Sequence, residues 1–299
     1  MVGRNFREHA NCKNFSIHCP GSEELDLRQK ADVFQFVGDL QPDLIIHAAG
    51  KVGGISSNVA DPFGYLLENL EIGANVISAA VALRIPKMIN LASSCIYPKD
   101  VDGHLAEEML LSGPLEPTNE GYALAKIAAL RLCQFASSRD KGLLYKTLIP
   151  CNLYGRHDKF TANAAHLLPA IIAKVHDAKT NGAGTVEIWG DGTARREFMY
   201  AGDLADALGR AIDHFDTLPA MMNIGIGSDR SVLDYYAAVA RVVGWQGEFT
   251  FDLSRPTGMR RKVVDVSRQT SWGWAPQMTL DAGIRATYEF FLRSNSHES

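Results

Sequence analysis

The chain has 299 residues, of which 30 are basic and 34 acidic, giving a formal net charge of -4 and a pI near 6.1. This balance lacks the basic surplus of a nucleic-acid-binding surface, and an apolar content of 46% excludes a wholly disordered chain. No apolar run approaches the ~18 residues of a membrane helix, and the first residues do not form a signal peptide. We therefore predict a globular protein that binds neither nucleic acid nor membrane.

The cysteines and histidines indicate a reducing compartment and no metal site. The cysteines number five, an odd count, and no pair has CxxC spacing. Reduced thiols in a cytoplasmic protein are the simplest interpretation. The nine histidines show neither HxH nor HExxH spacing, so no metal is predicted.

Apolar runs bounded by turn residues alternate with amphipathic stretches along the first half of the chain. The predicted strands cover residues 43–49, 87–93 and 145–150. The predicted helices between them cover residues 62–83 and 122–139. This alternation implies right-handed crossovers and an α/β fold, a doubly wound parallel sheet of the Rossmann type.

The second half of the chain is less regular. Its predicted elements are helices over 161–179, 231–243 and 280–292 and a strand over 186–189. We therefore expect a Rossmann domain over residues 1–160, to which residues 186–210 return, and a smaller C-terminal substrate lobe that makes up most of residues 161–299.

Three residues form a candidate catalytic group, two on a predicted helix and one at the end of a predicted strand. Tyr122 and Lys126 lie four residues apart on one helix face, which by itself is common on solvated helices. Ser93 ends a predicted strand, and the carboxyl ends of parallel strands line the ligand crevice. A lysine beside a tyrosine lowers the pKa of the phenol, which makes the tyrosine a usable proton donor or acceptor.

These residues and their neighbours resemble the extended short-chain dehydrogenase/reductase superfamily. Within it, the match is close to the GDP-L-fucose synthases, which are 3,5-epimerases and 4-reductases of GDP-4-keto-6-deoxy-D-mannose. The resemblance extends from residue 1 to about residue 275. Its segments are Ala49-Gly-Lys-Val-Gly-Gly-Ile55, Ser93-Ser-Cys-Ile-Tyr-Pro98, Leu115-Glu-Pro-Thr-Asn-Glu-Gly-Tyr-Ala-Leu-Ala-Lys126, Asn152-Leu-Tyr-Gly155, Trp189-Gly-Asp-Gly-Thr193 and Arg196-Glu-Phe198.

The resemblance implies a role for each catalytic candidate. Tyr122 would protonate O4 of the sugar, Lys126 would hold the nicotinamide ribose, and Ser93 would polarise the keto group. Cys95 would be the base of the epimerisation, as a thiolate, and His166, on a predicted helix, its acid partner. Without the flanking match, Cys95 would be interpreted as a small buried apolar side chain, the usual role of a free cysteine.

The resemblance also implies binding residues and a homodimer. The cofactor-binding candidates are Gly3, Arg4, Ala48, Ala49, Gly50, Tyr122, Lys126, Pro150, Asn152 and Leu153. The GDP-sugar candidates are Lys174, Trp189, Arg196 and Lys262. Relatives commonly dimerise through the helix over 62–83 and the one that carries Tyr122.

The choice between NADP and NAD depends on the segment Cys19-Pro-Gly-Ser22, which follows the presumed second strand of the fold. It offers no carboxylate for a ribose 2′-hydroxyl, which favours NADP(H). Arg4 could meet the 2′-phosphate.

Two other functions remain open at this point. One is a C4 reductase of a related GDP-4-keto-6-deoxy sugar, a heptose or a dideoxy sugar, without epimerisation. The other is a catalytically silent Rossmann protein that senses NADP. A dehydratase of the superfamily would carry Asp-Glu where Cys95 and Ile96 stand, which argues against dehydration.

The N-terminus departs from the family pattern. Relatives open with a strand and Gly-x-x-Gly-x-x-Gly, and Gly3 matches only the third glycine. Either the true start lies upstream, which the remaining site residues favour, or the chain is a true truncation. The expectation is that these 299 residues bind NADPH weakly and unfold easily, and that an added strand and glycines rescue both.

Overall fold

A computed structural model describes residues 1–9, 12, 15–161, 165–255 and 258–295, with side chains as far as residue 294. Its helices are α1 Val2–Glu8, α2 Lys30–Leu40, α3 Ile55–Ala60, α4 Pro62–Ala82, α5 Glu120–Arg139, α6 Leu167–Thr180, α7 Ala201–Asp213, α8 Val232–Val243, α9 Ser267–Ser271 and α10 Leu280–Asn295. Its strands are β1 Leu44–His47, β2 Lys87–Leu91, β3 Leu144–Pro150, β4 Asn152–Tyr154, β5 Thr185–Trp189, β6 Arg195–Arg196, β7 Phe198–Tyr200, β8 Met221–Ile224, β9 Arg230–Ser231, β10 Glu248–Asp252 and β11 Arg261–Lys262.

The main sheet is parallel and has the order β1-β2-β3-β8. Successive strand residues pack on opposite faces: Met88 and Tyr145 join the core beneath α2 and α4. Ile89 and Leu148 join the core that includes α7. A parallel sheet covered on both faces is what strand–helix crossovers produce, and the predicted doubly wound α/β fold is confirmed.

Local sequence signals fix the helix that leads into this sheet. The Asp61 carboxylate caps α4 by accepting a hydrogen bond from the Gly64 backbone N–H at 2.8 Å, and Pro62 occupies the first turn. Both are common helix starts, because the cap pairs an N–H that has no partner within the helix and proline has no N–H to leave unpaired. The helix therefore begins at Pro62, directly after the short helix α3.

A second hydrophobic core lies in the C-terminal half and joins side chains of α6, α8 and α10, together with Val186 and Ile188 of β5. In this half β5 pairs with β10, and a small three-stranded sheet has the order β11-β6-β9. The small sheet places Lys262 beside Arg196 in register. Among the described residues, no helix is both long enough and apolar enough to cross a bilayer.

Four predictions from the sequence need correction. The strand over 43–49 is wholly buried only at His47, because β1 is the edge strand of the sheet. Residues 15–18, the described residues just before Cys19, form no strand and pair with no strand of the main sheet. The helix expected over 161–179 begins only at residue 167; residues 162–164 lie outside the described residues.

The fourth correction concerns the predicted return of residues 186–210 to the Rossmann domain. Because β5 pairs with β10 and packs in the second core, residues 186–189 stay with the C-terminal half. The return is instead made by β7, which pairs with β4, and by α7 and β8. The domain limits at 160 and 161 remain a prediction.

Candidate active site

The candidate site lies where neighbouring parallel strands end. Residues Ala48 to Gly50 follow β1, Ser93 follows β2, and Pro150 is the last residue of β3. Strand β2 pairs in parallel with both β1 and β3. Side chains and backbone groups from all three connections therefore face the same edge of the sheet, where α/β proteins bind ligands.

Lys126 reaches this edge from α5 and is only 6% exposed. Its Nζ donates to the backbone oxygens of Leu91 at 3.1 Å and Ala49 at 3.5 Å, which join two of the strand ends. Burial lowers the pKa of Lys126 to about 8, since it penalises the charged ammonium. The same ammonium lies 5.7 Å from the centre of the Tyr122 ring.

The sequence predicted that Lys126 would lower the pKa of Tyr122, and this is wrong for the structure. Burial raises the pKa of Tyr122, and the nearby Cys95 and Tyr65 raise it further. The ammonium of Lys126 faces carbonyl oxygens and the face of the ring. Tyr122 is therefore a neutral phenol at pH 7, the protonation state of a proton donor.

Ser93 and Cys95 share one tight turn. Ser93 begins the short 3₁₀ helix Ser94–Ile96, and its Oγ accepts from the Cys95 backbone N–H at 3.5 Å. The Cys95 side chain is 4% exposed, and burial raises its pKa, against the opposing effects of Lys262, Ser93 and Lys126. The expected thiolate is therefore the minor form of Cys95 at pH 7, which corrects the sequence-based picture.

His166 approaches from the other half of the molecule and, contrary to expectation, precedes α6 as its N-cap residue. Burial lowers its pKa, and the charges of Lys262 and Lys159 lower it further. A Cβ atom on Gly54, in the loop after β1, would lie 2.9 Å from the backbone oxygen of Ala165. The loop of the first half thus packs directly against the segment that carries His166.

Lys262, one of the GDP-sugar candidates, links these groups. It is 8% exposed, and its charge acts on both Cys95 and His166. Arg196 lies beside it in register, and burial lowers the pKa of both cations. A buried lysine and a half-buried arginine side by side make a site suited to an anionic group.

The two remaining GDP-sugar candidates form a separate group on the second half. Lys174 donates from Nζ to the backbone oxygen of Glu187, two residues before Trp189 on β5. Trp189 is 42% exposed, and the Arg255 guanidinium lies 5.0 Å from its ring centre. An exposed aromatic ring with a cation over it offers a flat surface for another planar group.

The remaining cofactor-binding candidates lie in two places. Asn152 donates to the Glu197 backbone oxygen at 2.8 Å, and Leu153 packs against the core behind β3. Gly3 and Arg4 lie in α1, where a Cβ on Gly3 would be 3.6 Å from the Cys19 sulfur. The two segments predicted to choose between NADP and NAD are therefore neighbours.

Asn69 is the residue that sequence reasoning missed. Its Oδ1 accepts from the Lys51 backbone N–H at 3.0 Å and its Nδ2 donates to the Lys51 oxygen at 3.1 Å. A Cβ on Gly50 would lie 2.7 Å from the same Oδ1, so only glycine fits this close approach. An available signal was the position of Asn69, four residues after Tyr65 and four before Gly73 on the buried stripe of α4.

The nicotinamide end of a dinucleotide fits this edge of the sheet. The Gly50 loop presents backbone held by Asn69, and Lys126 is fixed above it by two carbonyl oxygens. Within the described ranges, no three His, Cys, Asp or Glu side chains gather closely enough to hold a metal ion.

Comparison with known proteins gives the class. The model of the NAD dependent epimerase/dehydratase family matches residues 1–225, and the chain belongs to this family. It is 45% identical over 298 residues to a GDP-L-colitose synthase of Yersinia pseudotuberculosis, covering 100% of this chain and 97% of that one. It is 47% identical over 295 residues to a GDP-L-fucose synthase of Azorhizobium caulinodans, covering 99% and 94%.

A solved structure agrees with these relatives. The GDP-mannoheptose C4 reductase of Campylobacter jejuni with NADP bound superposes with a TM-score of 0.86 at 31% identity, covering 97% of this chain and 95% of that one. The family predicted from the sequence is confirmed, and the chain is an enzyme of the epimerase and reductase type.

Proposed function

We propose that this enzyme converts GDP-4-keto-6-deoxy-D-mannose to GDP-L-fucose with NADPH, by epimerising C3 and C5 and reducing C4. One observation carries the proposal. The ammonium groups of Lys126 and Lys262 are both close enough to Cys95 to lower the pKa of its thiol. Lys126 also lies over the Tyr122 ring, and the charge of Lys262 also acts on His166. The groups for reduction and for epimerisation therefore surround one place, and the relatives named above include a GDP-L-fucose synthase and an NADP-bound reductase of a GDP-sugar.

The reduction needs a hydride, which NADPH supplies when bound, and a proton. The neutral phenol of Tyr122 donates that proton to O4, and the Ser93 hydroxyl holds the same oxygen. Lys126, which is held in place by its hydrogen bonds to the Leu91 and Ala49 backbone oxygens, positions the nicotinamide ribose. Each group thus has one task at one atom.

The epimerisation uses the C4 ketone before it is reduced. The ketone acidifies the protons at C3 and C5, which Cys95 removes from one face while His166 returns a proton on the other. Both groups are neutral at pH 7, because burial disfavours the thiolate and the imidazolium alike. The active pair is therefore a small fraction of the enzyme at any moment.

The diphosphate of the substrate suits the two neighbouring cations Arg196 and Lys262. Arg196 offers the planar fork that suits a diphosphate, and Lys262 lies beside it. Lys174 and Trp189, further along the second half, take the nucleoside end, where the exposed indole can stack on a base.

A related sugar is the second candidate substrate. The relative named GDP-L-colitose synthase matches the whole chain at 45% identity, and colitose is a 3,6-dideoxy sugar. With a substrate that lacks the C3 hydroxyl, the same residues would act at C5 and C4. This candidate differs from the dideoxy-sugar alternative drawn from the sequence, which is reduced at C4 without epimerisation.

The test is to incubate the purified enzyme with NADPH and GDP-4-keto-6-deoxy-D-mannose and to follow absorbance at 340 nm. In D₂O, deuterium at C3 and C5 of the product reports epimerisation, and oxidation of NADPH reports reduction. Reduction without exchange would favour the pure C4 reductase. Cofactor binding without either activity would favour the silent NADP-sensing protein.

We expect NADPH to be preferred over NADH by at least about tenfold in kcat/KM, since the Cys19 segment lacks a carboxylate for the 2′-hydroxyl. The exposed Arg4 lies on the helix beside this segment. Arg4→Ala should raise KM for NADPH and leave that for NADH unchanged, and Arg7→Ala, an exposed arginine of the same helix, is the control. A preference of the unaltered enzyme for NADH would overturn the argument.

The proposed enzyme is a homodimer in the cytoplasm. Large apolar side chains lie exposed on two neighbouring helices, Phe63 and Leu67 on α4 and Leu124, Leu132 and Phe135 on α5. They repeat every three, four or eight residues, so each helix presents one apolar face, as an interface requires. Free cysteines suit a reducing compartment.

Leu132→Glu combined with Phe135→Glu should weaken the dimer at least about 10²-fold, because buried aromatic and aliphatic anchors carry most interface energy. Light scattering after gel filtration measures the mass across a dilution series. Leu253→Glu changes a more exposed leucine, 74% exposed, in the turn after β10, and should leave the mass unaltered. A monomeric unaltered enzyme at high concentration would contradict the proposal.

A further inference from the structure

The turn that carries Ser93 and Cys95 ends in a buried hydrogen bond. The Tyr97 ring is 1% exposed, and its hydroxyl donates to the Asn223 Oδ1 at 2.6 Å. Asn223 lies on β8 and is fully buried. Burial raises the pKa of Tyr97, so the hydroxyl keeps the proton that it donates.

The rest of Asn223 is also engaged. Its Nδ2 donates to the backbone oxygens of Leu105 at 2.8 Å and Asp265 at 3.0 Å. Its backbone N–H donates to the Glu107 carboxylate at 2.8 Å. One amide thus joins the main sheet, the loop around residue 105 and the segment that follows Lys262.

The network meets the turn at its Cys95 end, beyond Ser93, the residue of the turn that serves the reduction. Tyr97 is two residues from Cys95, whereas Tyr122 and Lys126 stand on α5, where Lys126 is held by Leu91 and Ala49. Ahead of the turn, the Ala92 N–H donates to the Leu148 oxygen at 2.9 Å and ties that end to β3. Loss of the Tyr97 bond would therefore free the Cys95 end of the turn first.

We propose that Tyr97 is a positioning residue that, through Asn223, fixes the Cys95 thiol against Lys262 for the epimerisation. The proposal rests on the proposed function, since it assigns Cys95 to the epimerisation step. A buried polar network of this kind holds one geometry only while every member is paired. A shift of about 1 Å in a reacting group can cost about 10²-fold in rate.

The test compares Tyr97→Phe with Tyr145→Phe. Tyr145 is matched because it is 3% exposed and its hydroxyl donates to the Ile85 backbone oxygen at 3.0 Å, in the core beneath α4. Each variant loses one buried hydroxyl and one hydrogen bond. For each, deuterium exchange at C3 and C5 and reduction at C4 are measured together, with thermal unfolding alongside.

We expect Tyr97→Phe to lower the ratio of exchange to reduction by about tenfold or more, because a displaced Cys95 thiol would remove the sugar protons more slowly. Tyr145→Phe should leave the ratio unchanged even if it lowers the melting temperature as much. An unaltered ratio in Tyr97→Phe, or an equal fall in both variants, overturns the proposal. Absence of exchange in the unaltered enzyme is instead a failure of the proposed epimerase function.

A second measurement needs no sugar substrate. Iodoacetamide labelling, followed by mass spectrometry of the peptides, reports how firmly the turn covers Cys95. Tyr97→Phe should speed the labelling of Cys95 several-fold and leave that of Cys133, fully buried beneath the helices, unchanged. Unaltered labelling of Cys95 would show that the turn does not depend on Tyr97, and the positioning role would be rejected.

Discussion

Tyr122→Phe should lower the rate of NADPH oxidation by about 10²-fold or more, the usual cost of removing a general acid. The change removes only the hydroxyl, and the ring beneath the Lys126 ammonium remains. Because Lys126 is anchored by the Leu91 and Ala49 oxygens, its own position should not depend on the phenol. KM for NADPH should therefore stay within a few-fold of the unaltered value while kcat falls.

Tyr65→Phe provides the matched control for this experiment. Tyr65 is a buried phenol close enough to raise the pKa of Tyr122, and its hydroxyl donates to Ser57 Oγ at 3.1 Å. The fall in kcat in Tyr65→Phe should be at least about tenfold smaller than the fall in Tyr122→Phe, since Tyr65 donates no proton to the substrate. Equal losses of kcat in the two variants would show that Tyr122 is not the proton donor.

Much of the fold follows from local patterns. The predicted strands over 87–93 and 145–150 appear as β2 and β3, and the helices over 62–83 and 122–139 as α4 and α5. In these stretches the apolar period, the Asp61 cap and the flanking turn residues all favour the same structure. Agreement of this kind is what made the Ser93, Tyr122 and Lys126 positions predictable.

What could not be predicted depends on contacts distant in sequence. Lys262 stands in a basic run, yet it is buried where its strand pairs with that of Arg196 in a three-stranded sheet. His166 precedes its helix rather than joining it, at a place where the Gly54 loop packs against Ala165. No single-sequence pattern encodes either contact, because each joins residues that lie far apart in the sequence.

The ionisation states illustrate the same limit. A spacing of four residues places Tyr122 and Lys126 on one helix face, and their mutual electrostatics seemed to decide the phenol's pKa. The structure shows that burial is the larger effect and raises that pKa. Desolvation depends on everything around a group, so it is not readable from two residues alone.

Cys95→Ser should lower deuterium exchange at C3 and C5 by about 10²-fold or more, while C4 reduction falls much less. A serine hydroxyl is a far weaker base than a thiolate, and loss of a general base costs about 10² to 10⁴ in rate. The Ser93 oxygen and the Tyr122 phenol, which serve the reduction, keep their places in this variant. Cys133→Ser, at another fully buried cysteine, controls for the cost of a buried hydroxyl.

The pH dependence of exchange in the unaltered enzyme sharpens this test. Burial raises the pKa of Cys95 above its ordinary 9.0 and lowers that of His166 below its ordinary 6.5. Between those values the thiolate fraction rises tenfold per pH unit and the imidazolium fraction falls tenfold, so their product is constant. Exchange should therefore be level at least from about pH 6.5 to about 9, and fall only below the lowered pKa of His166 and above the raised pKa of Cys95. An exchange rate that climbs steadily across this range would mean that His166 supplies no proton. Exchange at the unaltered rate in Cys95→Ser would mean that Cys95 is a packing residue and not the base.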